Sequence, residues 1–291
     1  MRKILIIQIG FLIIFGFMSC QNNKKNLLKI GFIEVDGGKI YYEEKGQGDA
    51  IVLLHPGLTD SRMWEKQVSG LSENYRVICY DQRGYGKSDI PTDYYSTNKD
   101  LLTLLDSLKI EKTNLIGICM GGLHALEFVI EYPQRVKKIA LSGTAFLNWE
   151  YPEAVIKKNI EFSNIVQEGV DKAIETIKTD PFWKKSYPSD KYPEAQKLFL
   201  EYLYQNKKAF SVDWQLKKQD FTTIETVSEI NNTVLIIRPE FEMDYVVEIA
   251  DFLLENIKNS KSVELKNAGH FLNMESPERF NEIILEFLNN K

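Results

Sequence analysis

The chain predicts an α/β fold, with a mostly parallel central sheet flanked by helices and interrupted once by a helical insertion. Three observations carry this. Short, uninterrupted apolar runs recur along the chain, as in Ala50-Ile51-Val52-Leu53-Leu54 and Thr113 to Ile118, the pattern of strands buried on both faces. Segments of helical periodicity separate these runs, and such alternation builds a parallel sheet covered on both sides. One long stretch, from about Ala145 to about Thr223, contains no strand signal and is rich in helix formers and aromatics.

The elements follow in order. Ile30 to Val35 and Lys39 to Glu43 flank Asp36-Gly37-Gly38, which reads as a hairpin turn. After the Ala50–Leu54 strand, Asp60 to Leu71 is helical, Tyr75 to Tyr80 is a buried strand and Asn98 to Leu108 is helical. Thr113 to Ile118 is the next strand, Met120 to Tyr132 is a helix stopped by Pro133, and Val136 to Leu141 is a strand. Beyond the helical stretch the rhythm resumes with a strand at Thr233 to Ile237 and a helix near Tyr245 to Ile257. A strand at Ser262 to Leu265 and a helix from Pro277 to Leu288 complete it.

At 291 residues, with 44% hydrophobic and 26% charged residues, the chain can bury one large core with an insertion. Its net charge of −5 and the absence of a long Lys/Arg run argue against nucleic acid as a partner. The three cysteines, Cys20, Cys79 and Cys119, are too few for a disulfide framework, and the three histidines show no metal-ligand spacing. No metal and no cofactor are expected.

The first twenty residues read as an export signal. Arg2 and Lys3 precede a nearly unbroken apolar run from Ile4 to Met18, too short for an ordinary bilayer span. The run ends in Phe17-Met18-Ser19-Cys20 before the polar Gln21-Asn22-Asn23-Lys24-Lys25. This resembles a bacterial lipobox, although Phe17 stands where Leu is usual. The resemblance implies lipidation at Cys20 and a membrane-anchored lipoprotein on the periplasmic or cell-surface side, with residues 21–28 as tether.

The chemistry centres on Gly117-Ile118-Cys119-Met120-Gly121-Gly122, where a strand meets a helix. A nucleophile set between glycines at this junction sits on a sharp turn that leaves no room for neighbouring side chains. It also projects from the first turn of a helix, where unpaired N–H groups and the helix dipole favour a thiolate. Taken alone, Cys119 would read as a buried structural thiol. Three further segments change that reading: Leu53-Leu54-His55-Pro56-Gly57-Leu58 with Trp64 nine residues after the His; Asp81-Gln82-Arg83-Gly84-Tyr85-Gly86-Lys87-Ser88; and Arg238-Pro239-Glu240-Phe241-Glu242 followed by Asn267-Ala268-Gly269-His270-Phe271.

Together these segments resemble the α/β-hydrolase fold over roughly residues 29–145 and 224–291, with a cysteine at the nucleophile elbow and residues 146–223 as a helical lid. The resemblance implies a triad of Cys119, His270 and an acid. Counting along the loop favours Glu242, with Asp244 as rival and Glu240 as a surface residue. It also implies an oxyanion hole from the backbone N–H groups of Gly57 (Leu58 as second choice) and Met120. His55 is expected to shape its loop, His124 to pack, and Cys79 to be a core residue separated from Cys119 by one intervening strand. The implied substrate is a small acyl compound: an ester, thioester or lactone, attacked to give an acyl-thioenzyme. Cysteine in this box is similar to the arrangement in dienelactone hydrolases and polyhydroxyalkanoate synthases. Transfer of the acyl group to an alcohol or amine, and a catalytically silent binding protein of the same fold, remain open at this point. In the insertion, some of Trp149, Phe182, Trp183, Tyr187, Phe210 and Trp214 are expected to line an apolar pocket and most to form its core.

Overall fold

The computed structural model of the chain describes residues 27–146, 149–217 and 226–290. Its centre is an eight-stranded sheet: β1 (Lys29–Val35), β2 (Gly38–Lys45), β3 (Ala50–Leu54), β4 (Arg76–Tyr80), β5 (Thr113–Ile118), β6 (Val136–Ser142), β7 (Thr233–Pro239) and β8 (Ser260–Leu265). The spatial order is β1-β2-β4-β3-β5-β6-β7-β8. β1 and β2 form the expected hairpin, β2 pairs antiparallel with β4, and every later pairing is parallel.

Successive residues of a strand face opposite sides of the sheet, and β3 shows why it has no polar face. Val52 and Leu54 join the layer holding helices α2 (Thr97–Ser107), α3 (Met120–Glu131) and α7 (Asp244–Asn256). Ile51 and Leu53 join the layer holding α1 (Glu65–Leu71) and α9 (Pro277–Asn289). All four are fully buried, each contributing roughly 1.5–3 kcal/mol of transfer free energy. The segment expected as one helix from Asp60 is split. Asp60 caps a tight 3-10 turn, Ser61–Trp64, by accepting the Arg62 N–H at 3.0 Å, and the α-helix starts only at Glu65.

Between β6 and β7 the described residues form α4 (Glu153–Glu168), α5 (Val170–Thr179), α6 (Pro193–Gln205) and several 3-10 turns. Polar bolts fasten this insertion to the core. Buried Asn206 donates to Asp60 Oδ2 at 2.7 Å and accepts the Gly86 N–H at 2.7 Å. Lys217 pairs at 3.0 Å with Glu127, which is buried on α3. The short helix α8 (Leu272–Glu275) follows β8 and leads into α9. Within the described residues no helix is long and apolar enough to cross a membrane. The signal segment and its Cys20 lie outside the described residues.

Candidate active site

Cys119 stands between the end of β5 and the first residue of α3 with φ 53° and ψ −116°, a conformation rare for a residue with a side chain. Its turn is held by Cys119 N–H donating to Ser142 O at 2.9 Å and by Gly122 and Leu123 N–H donating to Cys119 O. The flanking glycines are demanded by contact. A Cβ on Gly117 would lie 2.4 Å from Gly121 O, and one on Gly121 would lie 2.1 Å from Leu54 O. The elbow is thus wedged between its own helix and β3, which leaves the Cys119 thiol partly exposed at the C-terminal edge of the sheet.

His270 arrives from the loop after β8 and Glu242 from the loop after β7. His270 Nδ1 lies 2.7 Å from Glu242 Oε2, and both side chains are almost wholly buried. Cys119 lies beside the imidazole and acts on it. Burial alone would lower the His270 pKa. The Glu242 carboxylate and the interaction with Cys119 overcome this and raise it well above the usual value. Asp244 begins α7 with its side chain in solvent, and Glu240 accepts the Asn267 N–H at 2.7 Å on the surface. Of the three acids weighed, only Glu242 meets the histidine.

Met120 opens α3, and Gly57 lines the cavity above Cys119. Leu58, the second choice as oxyanion donor, has φ 66° and its backbone bonds to the Tyr85 hydroxyl. His55 spends both ring nitrogens on loop structure. Nδ1 donates to Pro56 O at 2.7 Å, and Nε2 accepts the Gln82 N–H at 3.0 Å. Gln82 continues to His124, so two histidines and a glutamine form one buried brace under the elbow. Burial lowers the pKa of both histidines, His124 the more strongly.

Two contributors are given no role by the sequence reading. Gly143, at φ +55°, sits against the His270–Glu242 pair; a Cβ there would lie 2.8 Å from His270 Cε1 and 3.0 Å from Nδ1. Glu275, buried on α8, accepts the Gly269 N–H at 2.6 Å beside His270 and the Ser189 N–H of the insertion at 2.8 Å. A glycine directly after a buried strand was the one available signal for the first. Nothing distinguishes the second from the ordinary acid of a helix start.

The thiol and imidazole open into a cavity of about 250 Å³ between sheet edge and insertion. Phe162, Ile177, Trp183, Phe199, Val246 and Phe271 are prominent in its wall. Among the insertion aromatics named from sequence, Trp183 lines this space, while Trp149 packs on Phe252 at 5.4 Å. The described residues contain no cluster of three or more His, Cys, Asp or Glu able to hold a metal ion.

Residues 49–277 match the family described as alpha/beta hydrolase fold. The chain belongs to the α/β-hydrolase fold family. Among its relatives, 3-oxoadipate enol-lactonase 1 of Acinetobacter baylyi is 30% identical over 82% of this chain and 88% of its own length. The uncharacterized carboxylesterase nap of Bacillus subtilis is 28% identical over 89% of this chain and 86% of its own length. A solved enol-lactonase from Burkholderia xenovorans LB400 superposes with a TM-score of 0.76 at 24% identity, covering 89% of this chain and 100% of that one. This α/β-hydrolase is accordingly an enzyme of the hydrolase type, with a cysteine at its elbow.

Proposed function

We propose that this hydrolase cleaves carboxylic ester, thioester or lactone bonds through a Cys119–His270–Glu242 triad and an acyl-thioenzyme. The single observation that carries the reading is the Glu242-paired His270 standing beside Cys119 at the floor of an apolar cavity. The names of the relatives, a carboxylesterase and an enol-lactonase, supply the bond classes.

In this reading Cys119 Sγ attacks the acyl carbon, and the oxyanion is held by the N–H groups of Gly57 and Met120. The C–S bond forms as the carbon–oxygen or carbon–sulfur bond to the leaving group breaks, and His270 gives its proton to that group. Acylation removes the negative sulfur that helps hold the imidazolium. His270 therefore becomes a better base at the moment water must be deprotonated to release the acid. Glu242 keeps Nδ1–H fixed, so Nε2 is the nitrogen that exchanges protons.

Intact-mass analysis of protein quenched during turnover of 4-nitrophenyl butyrate tests this. A butyryl adduct on Cys119, and loss of turnover in Cys119→Ala, are expected. Undiminished turnover by Cys119→Ala overturns the reading.

The same reading includes export and a lipid anchor on Cys20, supported by Arg2, Lys3, the apolar run after them and the polar tether. Labelled palmitate incorporated by the wild type and absent from Cys20→Ala is expected. A mature N-terminus at any other residue overturns it.

A further inference from the structure

Among the described residues, the wall of the Cys119 cavity contains no Asp, Glu, Lys or Arg side chain. Two cations on the neighbouring insertion elements, Lys158 and Lys184, are engaged elsewhere. Lys158 binds Asp180 at 2.9 Å and Glu161 at 3.4 Å, and Lys184 binds Asp190 at 2.9 Å. The polar groups are few and differ in availability. The Tyr151 hydroxyl is consumed by Phe146, donating to its carbonyl at 2.7 Å and accepting its N–H at 3.2 Å. Tyr245 packs edge-on against Tyr151 at 5.5 Å, and its hydroxyl makes no hydrogen bond among the described residues. Burial, then the negative charge of Cys119 and Glu242, raises the Tyr245 pKa, so the group remains a phenol and a donor.

We propose that the acyl subsite above Cys119 takes an uncharged, apolar acyl group and rejects acyl groups that carry a carboxylate. The proposal rests on the reading of Cys119 as nucleophile and narrows its substrate class. A substrate carboxylate placed among Phe162, Ile177, Phe199 and Val246 would lose its water and meet no cation except the His270 imidazole, whose charge Glu242 already pairs. A few neutral donors, among them the Tyr245 hydroxyl and the Asn159 amide, do not replace a hydration shell, and the Glu242 carboxylate behind His270 adds repulsion. An uncharged acyl group meets the opposite situation, with apolar walls on most sides and neutral donors such as Tyr245 for a neutral acceptor. The volume sets the scale. About 150 Å³ suffices to enclose benzene, so about 250 Å³ has room for a ring or a chain of about six carbons.

Two esters of equal length test this: 4-nitrophenyl hexanoate and the 4-nitrophenyl monoester of adipic acid, which differ in a terminal methyl against a carboxylate. The expected result is a kcat/KM on the order of a hundredfold higher for the hexanoate. Values within about threefold, or a reversed order, overturn the proposal. Cys119→Ala separates the two readings, because turnover that persists in it is not the reaction proposed above. A second arm needs no turnover. Hexanamide is expected to protect Cys119 from iodoacetamide, and adipic acid monoamide is not; equal protection by both overturns the acyl subsite. Selective protection without Cys119-dependent turnover of either ester would leave the subsite standing and sink the hydrolase reading alone.

Discussion

Glu242 Oε2 accepts the Nδ1 proton of His270 at 2.7 Å, and the Asp two positions further on, Asp244, points into solvent at the start of its helix. The partner of the imidazole is therefore the residue with the longer side chain, and in the proposed triad it is the acid. It reaches the imidazole from a loop whose next N–H, that of Met243, donates to the other carboxylate oxygen at 2.9 Å.

Glu242→Gln removes the charge while keeping the shape. Its kcat is expected to fall by about 10²–10³-fold, because the imidazole loses both its orientation and the partner of its charged form. Asp244→Asn should change kcat by less than about twofold. Steady-state kinetics of the two variants checks this, and an unaffected Glu242→Gln enzyme would reverse the assignment.

Stability should fall with rising pH through the same pair. The folded-state pKa of His270 is raised well above 6.5. The imidazole is then charged in both folded and unfolded chains below about pH 6.5, where the pair contributes in full. Above that value only the folded chain holds the proton, and the contribution is lost as pH passes the folded pKa. Melting temperatures of wild type and Glu242→Gln, followed from about pH 6 to about pH 10, should differ most at the acid end and converge at the alkaline end. A gap that widens with pH would contradict this.

Gly143→Ala should be inactive yet folded. The left-handed backbone at φ +55° costs a non-glycine residue about 1–2 kcal/mol, which a domain with this core survives. The added methyl, however, presses on His270 Cε1 and Nδ1 and moves the base out of line. Circular dichroism with an esterase assay checks both halves; full activity would show that the loop yields.

Glu275→Gln keeps one acceptor oxygen for two donors. Either the buried Gly269 N–H or the more exposed Ser189 N–H then faces an amide NH₂, a loss of about 1–3 kcal/mol where it is Gly269. The variant should melt lower than wild type and show a reduced kcat, since the His270 loop and the insertion are released together. Rescue by Glu275→Asp is not expected, because the shorter chain cannot span both donors.

The layered sheet was legible in the sequence because each central strand is a short apolar run with nowhere to go except a two-sided core. Ile51, Val52, Leu53 and Leu54 are all fully buried. The elbow was legible because Gly117 and Gly121 are required by contacts with the elbow's own backbone and with β3. The residues that went unread act across the chain. Gly143 is defined by its distance from His270, Glu275 by the Ser189 N–H, and Tyr245 by the Tyr151 ring, and no local periodicity reports such pairings. The break of the first helix at Ser61–Trp64 was missed because it depends on one side-chain cap, Asp60 to Arg62, inside an otherwise helical pattern.

The strand order has a chemical corollary for damage and repair. Because β3 separates β4 from β5, Cys79 lies two strand spacings, roughly 9–10 Å, across the sheet from Ile116, and Cys119 is three residues further on still. Both are free thiols, and Cys79 is buried. A disulfide needs Cα atoms within about 7 Å. If peroxide converts Cys119 to a sulfenic acid, Cys79 cannot condense with it and stop the oxidation at a reversible stage. Recovery must come from a small thiol entering through the substrate's own doorway, so a bound acyl group would shelter the enzyme from its oxidant and from its rescuer alike.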